Sequence, residues 1–291
     1  MRVRAASVNA GDWRLMRGWP RVGRPMMGGL KGPSMPVRGW DLAGIVESVG
    51  DGVDDLGPGD EVFGTGAGTF AELAIARAET LARKPPELSF EDASAIGVAG
   101  VSALQALRDR GPVKPGMRVL VIGAGGGVGT YAVQLAKAYG AEVTAVCSTA
   151  KAELVEELGA DRVIDYTTED FTNDRRRYDV IIDVAGARSL RATRRALAAD
   201  GTFVAVSGKG KNVGPLARIV AVVILKQLAR RQRLMPFLAH PTRADLLELA
   251  GMIEAGTLRV VVDRTFPLAE APEAIRYVEE GRVRGKAVVV V

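Results

Sequence analysis

Residues 118–129, RVLVIGAGGGVG, constrain this chain of 291 residues more than any other stretch. Residues 119–122 form a short, wholly apolar, mostly β-branched run, the pattern of a strand buried on both faces. Glycines follow, and residues 131–139 then take up helical spacing, with Val133, Leu135, Ala136 and Tyr139 on or near one side. A strand that turns through glycines into a helix leaves the first helical N–H groups aimed at one spot. That spot, at the positive end of the helix dipole, suits a pyrophosphate. The pattern G-x-G-x-x-G is met only with alanine first, as Ala124-Gly125-Gly126-Gly127-Val128-Gly129. A tight turn without a ligand is the competing reading. The order strand, glycines, helix, second strand favours a bound dinucleotide.

Length and charge narrow the rest. The chain is long enough for two domains. One cysteine, Cys147, excludes a disulfide framework and any multi-cysteine zinc site, and fits a reducing cytoplasm. One histidine, His240, leaves little room for histidine-based metal or triad chemistry. The net charge of +5 comes from 39 basic and 34 acidic residues spread along the chain, so the basic runs 175–177 and 230–231 read as solvated surface rather than a nucleic-acid footprint. No signal peptide opens the sequence. Its longest aliphatic run, 219–225, is far shorter than the ~20 residues a membrane span needs.

Residues 1–8 read as strand from the first residue. To about residue 91 the sequence is rich in glycine and proline, with strand-like runs at 44–49, 60–63 and 70–75, which predicts a loop-rich antiparallel domain. Ser89 and Asp92 form a capping pair before an Ala/Leu-rich helix at 93–107. Strands and helices then alternate: strands 142–147, 162–165, 179–184 and 202–206, helices 151–158 and 190–198. That alternation predicts a parallel, doubly wound sheet. A polar loop at 209–215 leads to the apolar stretch 216–228, read as a buried or interface helix over a membrane-surface one. Helix 244–255, strand 260–263, helix 269–280 and strand 287–291 close the chain.

Five separated stretches together resemble the medium-chain dehydrogenase/reductase superfamily, in its zinc-free quinone oxidoreductase-like branch. They are Ala5-Ala6-Ser7-Val8-Asn9 with Asp12, Gly39-Trp40-Asp41-Leu42-Ala43-Gly44, Pro58-Gly59-Asp60-Glu61-Val62-Phe63-Gly64, residues 123–129, and Glu280-Gly281 with Gly285-Lys286. The resemblance implies an α/β fold. A GroES-like β-rich catalytic domain at 1–92 would lack its first strands, a Rossmann domain would span 93–255, and a tail at 256–291 would return to the catalytic domain. It also implies a dinucleotide in the cleft between the domains; the missing strands are expected either to be encoded upstream of Met1 or to be absent from a naturally trimmed form with an altered sheet. Zinc-dependent members carry Cys where Asn9 stands and His-Glu where Trp40-Asp41 stand. Zinc needs three or four N, S or O ligands in tetrahedral reach, so no metal site is expected here.

Hydride transfer without a metal needs an electron-poor acceptor and a donor for the developing charge on its oxygen. Quinones and α,β-unsaturated carbonyls fit. Asn9 is the candidate donor by resemblance and because its amide is neutral and directional, against a turn-forming role in a loop at 9–12. Asp41 orients water or ribose, or pins the adjacent glycine turns; Arg14 faces substrate or solvent. The cofactor's pyrophosphate falls to Gly125, Gly126, Gly127, Val128 and Gly129. After the second strand no acidic residue stands between Glu142 and Glu153, so nothing there accepts from a ribose 2′-OH; Ser148 and Lys151 offer a hydroxyl and an ammonium to a 2′-phosphate. The resemblance adds Tyr166, and Ser207 and Gly208 after the strand at 202–206 complete the set. The expectation is a cytoplasmic, homodimeric, NADPH-dependent reductase of a small electron-poor molecule, with no nucleic-acid partner and no stable membrane insertion. The alternatives are an NAD(P)-dependent alcohol or aldehyde dehydrogenase and a non-catalytic, redox-sensing NADP-binding protein.

Overall fold

The computed structural model describes residues 1–17, 37–206 and 231–291. It divides into two compact units, Met1–Val101 with His240–Val291, and Ser102–Ala239. Counted along the chain, the strands of the first unit are β1 (Arg2–Ser7), β2 (Asp41–Ile45), β3 (Glu61–Thr65), β4 (Leu81–Arg83), β11 (Val262–Pro267) and β12 (Lys286–Val290). Those of the second are β5 (Arg118–Ile122), β6 (Glu142–Cys147), β7 (Arg162–Asp165), β8 (Tyr178–Asp183), β9 (Leu197–Ala205) and β10 (Arg233–Pro236).

The first unit's sheet runs β11-β12-β1-β2-β3-β4, antiparallel except for the parallel pair β11 and β12. The C-terminal strands therefore lie beside the N-terminal one. β1 is an inner strand, with β12 along Ala5–Ser7 and β2 on its other edge. Val3, Leu42, Val62 and Leu81 fill one part of the core, and Val8, Phe266, Ile275 and Val289 another.

The second unit's sheet runs β10-β9-β8-β5-β6-β7, and every pair in it is parallel. From β5 the chain winds outward through β6 and β7, then returns to β8 on β5's other edge and winds the opposite way. The order reverses between β5 and β8, where a doubly wound sheet opens its ligand crevice at the strands' carboxyl ends. Val119, Leu120 and Val121 are fully buried, as the unbroken apolar run predicts.

Several expected elements differ. The run at 70–75 is no strand: only Leu73 and Ile75 pair, with Arg2 and Ala67, because β12 occupies the β1 edge beyond its first residues. Both side chains are exposed. The strand expected at 44–49 is β2, earlier in the chain, and 47–50 is exposed loop. The single helix expected at 93–107 is two, α2 (Phe90–Ser94) and α3 (Gly97–Gln105). Val98 N–H donates to Asp41 Oδ1 at 2.7 Å instead of continuing a helical ladder, and a Cβ on Gly97 would lie 2.5 Å from that oxygen. The loop expected at 9–12 is the start of helix α1 (Ala10–Met16), capped by Asn9. The helix expected to end the dinucleotide domain at 255, Arg243–Glu254, belongs to the first unit. Its Arg243 donates to the carbonyls of Leu81 and Ala78. Residues 216–228, read as an interface helix, lie outside the described residues.

Candidate functional site

In the first unit, three neighbouring strands bring four polar side chains together. β1 ends at Ser7 and leads to Asn9; β2 begins with Asp41 and β12 with Lys286. Asp41 is completely buried. Its Oδ2 accepts from Ser7 Oγ at 2.8 Å, Asn9 Nδ2 at 2.8 Å and Lys286 Nζ at 3.3 Å, and its Oδ1 accepts from Val98 N–H. Lys286, 2% exposed, also donates to Asn9 Oδ1 at 2.7 Å and to the Val8 carbonyl at 3.3 Å. Four donors on one carboxylate, the Lys286 ammonium among them, satisfy what burial of those charges demands.

Asp12 lies under this cluster, accepting from Asn9 N–H at 2.7 Å. Burial pushes its carboxyl up to about 7, against the Asn9 hydrogen bond; nearby Asp41 raises it further and Lys286 opposes. Trp40 lies against α1: a Cβ on Gly11 would fall 2.2 Å from the indole ring, so only glycine fits beneath it. Arg14, read from the sequence as facing substrate or solvent, has its guanidinium 5.3 Å from the centroid of the Trp13 ring, and burial lowers its pKa.

The donor set does not suit zinc. Asn9 and Trp40 supply no metal ligand of the usual kind, and the Asp41 oxygens are taken up by protein donors. A dication there would also meet the Lys286 ammonium. Among the described residues no three His, Cys, Asp or Glu side chains stand close enough to hold a metal.

Ser7, Asp12 and Lys286 were not singled out as site residues by the sequence. Each lies within a motif that carries the family resemblance.

The second unit holds the glycine turn. Gly123 takes φ +89°, a left-handed conformation that favours glycine, and its N–H and that of Ala124 both donate to the Val146 carbonyl, at 2.9 and 3.0 Å. The turn is thereby tied to β6 before helix α4 (Gly127–Ala138) begins, with Gly126 as its cap. A Cβ on Gly129 would fall 2.2 Å from the Gly123 carbonyl oxygen, so the helix packs onto the turn itself. One on Gly125 would fall 2.7 Å from the Cβ and Cδ of Lys151, whose stem crosses the turn there. On Gly126 it would meet nothing nearer than 3.6 Å. Gly127 and Val128 complete the first turn of α4, where N–H groups without helical acceptors gather.

Ser148 and Lys151 follow the end of β6, and Tyr166 follows the end of β7, its neighbour in the sheet. Ser148 caps the short turn Thr149–Lys151, and Tyr166 N–H donates to the Cys147 carbonyl at 3.0 Å while its ring is exposed. Burial pushes the Cys147 thiol up to about 11, a poor nucleophile. One acidic group was not anticipated: Asp165, paired in register with Cys147. The Thr149 hydroxyl donates to its Oδ2, and the Thr167 N–H and hydroxyl donate to its Oδ1 at 2.9 and 2.7 Å, which lowers its pKa. Ser207 and Gly208 lie outside the described residues. The glycine turn with the Lys151 stem across it fits a dinucleotide phosphate.

Comparison with known proteins gives one consistent picture. Residues 1–86 match the family model of the alcohol dehydrogenase GroES-like domain, and residues 158–289 that of zinc-binding dehydrogenases. The chain is 33% identical to the mouse mitochondrial NAD(P)H oxidoreductase RTN4IP1, over 99% of its own length and 80% of that protein. It is 32% identical to a chloroplast envelope quinone oxidoreductase homolog of Arabidopsis thaliana, over 99% and 88%. The structure of the quinone oxidoreductase from Coxiella burnetii superposes with a TM-score of 0.88 at 31% identity, covering all of this chain and 89% of that one.

Proposed function

The chain belongs to the medium-chain dehydrogenase/reductase superfamily, in its quinone-oxidoreductase-like branch, and from that premise we propose that it is a zinc-independent, NADPH-dependent reductase of quinones or α,β-unsaturated carbonyls. The observation that carries this reading is the Asp41 cluster. A carboxylate, an amide and an ammonium bond one another in the first unit, leaving a neutral donor rather than a Lewis acid. Such acceptors delocalise the negative charge they gain, so a few hydrogen-bond donors suffice to stabilise it.

Gly125, Gly126, Gly127, Val128 and Gly129 would hold the pyrophosphate and Ser148, Lys151 and Tyr166 the 2′-phosphate, with Ser207 and Gly208 completing the set by the sequence reading. When bound, the dinucleotide supplies a hydride from its nicotinamide ring. Asn9 presents an N–H to the acceptor oxygen, Asp41 and Lys286 hold that amide, and solvent delivers the proton. The lack of any acidic residue between Glu142 and Glu153, with Ser148 and Lys151 in that stretch, supports NADPH over NADH. The single cysteine and the apolar stretch 216–228 support the cytoplasm and a homodimer. No helix among the described residues is long and apolar enough to cross a membrane.

The test is NADPH oxidation against a panel of small quinones, enones and alcohols, with elemental analysis of the purified protein. Quinone or enone turnover that survives strong chelator, with no stoichiometric zinc, is the expected result. One tightly bound zinc per chain, with activity lost on its removal, overturns zinc independence. Turnover confined to alcohols moves the chain to the dehydrogenase alternative, and binding of NADPH without turnover to the non-catalytic one.

A further inference from the structure

Lysine enters a protein interior only when its ammonium is well partnered. Lys286 is 2% exposed, and its shortest described contact is not to the carboxylate beside it. Nζ lies 3.3 Å from Asp41 Oδ2 but 2.7 Å from the carbonyl oxygen of Asn9. The other end of the same amide donates to Asp41 at 2.8 Å. Asn9 is thus gripped at both ends by groups of opposite charge. Turned over, its N–H groups would face an ammonium and its oxygen a carboxylate, so one orientation is strongly favoured. An Asn nitrogen carries two hydrogens. With one committed to Asp41, the amide has a single N–H left to present, and the ammonium on its oxygen draws electron density from that N–H and strengthens it as a donor.

We propose that Lys286 is a positioning residue for the reaction: it clamps the Asn9 carboxamide oxygen so that Asn9 presents only an N–H to the oxygen of the acceptor, with Asp41 as the anion that keeps both in place. The inference rests on the reading of Asn9 as that donor, and its test separates the two.

Asn9→Ala alone lowers kcat about a hundred-fold, the usual cost of losing one such donor, with the KM for NADPH unchanged. Lys286→Met combined with Asp41→Asn removes both charges at once, so neither is left buried without its counterion; it lowers kcat to a similar degree. Added to Asn9→Ala, the pair costs nothing more, because Lys286 acts through Asn9. A merely structural role predicts the reverse, a melting temperature that drops and kcat losses that multiply.

A second readout needs no turnover. The two side-chain amide protons of Asn9, identified in nitrogen-15 spectra by their loss in Asn9→Ala, resonate apart and exchange slowly in the natural chain. In Lys286→Met they move toward the positions of a solvent-exposed asparagine. Unchanged Asn9 resonances in Lys286→Met, or multiplying kcat losses, overturn the inference and leave the donor reading standing. Asn9→Ala with full kcat removes the donor reading and the inference with it.

Discussion

The two polar regions of this chain are built by opposite means. In the second unit the backbone makes the candidate site: a contiguous turn of glycines tied to β6 and crossed at Gly125 by the stem of Lys151. In the first unit side chains make it, and they bond chiefly to one another, with Asp41 accepting from three residues and the Val98 backbone. A backbone site tolerates changes in side-chain chemistry but not in volume, whereas a side-chain cluster tolerates small changes in volume but not in charge. The same contrast separates a site for a common ligand fragment from one adjusted to a particular reaction.

Two neighbouring glycines give the largest test. Gly129→Ala places a methyl 2.2 Å from the Gly123 carbonyl oxygen and 2.6 Å from that of Ala124, both backbone atoms that cannot step aside. Thermal melts should show a loss of about 3 kcal/mol, and NADPH affinity should fall at least about a thousand-fold, or 4 kcal/mol. Gly126→Ala meets only an ordinary contact at 3.6 Å, so its melting temperature stays put while NADPH binding weakens. Equal NADPH affinity in Gly126→Ala and the natural chain would make the turn a structural one.

The regions also respond to pH in opposite senses. Asp12 titrates near pH 7 when folded, against 3.8 for an unperturbed carboxyl. The folded chain holds its proton through that interval, so Asp12's contribution to stability is complete below about pH 4 and is lost as pH rises through 7. Asp165 has a lowered pKa, so its contribution is present above the ordinary carboxyl range and lost in acid. Denaturation between pH 4 and 8 should show Asp12→Asn gaining on the natural chain as pH rises, by a few kcal/mol at most. Parallel curves would mean that Asp12 stays charged and is better solvated than its burial implies.

What was legible in the sequence follows the same division. Residues 118–129 name a strand, a turn and a helix in one reading, and the alternation after them gives the parallel sheet. The cluster in the first unit joins residues 7, 9, 41, 98 and 286, and no local pattern connects positions so far apart. Even there, signals were present and misread. Asn9 with Asp12 three residues on is the spacing of a helix cap and its partner, not of a loop. The break before Gly97 was invisible, because it depends on a tertiary bond from Val98 to Asp41. The apolar run 70–75 resembled a strand because its composition does not reveal that β12 already occupies the edge it would need.

Lys151 sharpens the division within the second unit, because it adds a side chain to a site made of backbone. A charge-assisted hydrogen bond is worth ~1.5–3 kcal/mol, so Lys151→Ala should weaken NADPH roughly ten- to a hundred-fold and NADH scarcely. The loss should appear in the cofactor KM, since the phosphate is remote from the hydride and is bound equally in ground and transition states. A lysine at a helix start opposes the dipole, which argues that it is there for a ligand. If both cofactors weakened alike, the role of its stem against Gly125 would be the packing of the turn.

The smallest effect belongs to Tyr166. Its backbone is fixed by the bond to Cys147, while its side chain is exposed, so the phenol can change without disturbing β7. Tyr166→Phe removes one neutral donor, worth about 0.5–1.5 kcal/mol, or roughly two- to ten-fold in NADPH affinity. Fluorescence titrations with both cofactors separate the possibilities. A loss confined to NADPH places the hydroxyl on the 2′-phosphate beside Lys151, and combining the two substitutions then costs less than the product of their separate effects, because both serve one group. A loss shared by NADH assigns the tyrosine to the adenosine part of the cofactor. No loss at all leaves Lys151 and Ser148 to recognise the phosphate without it.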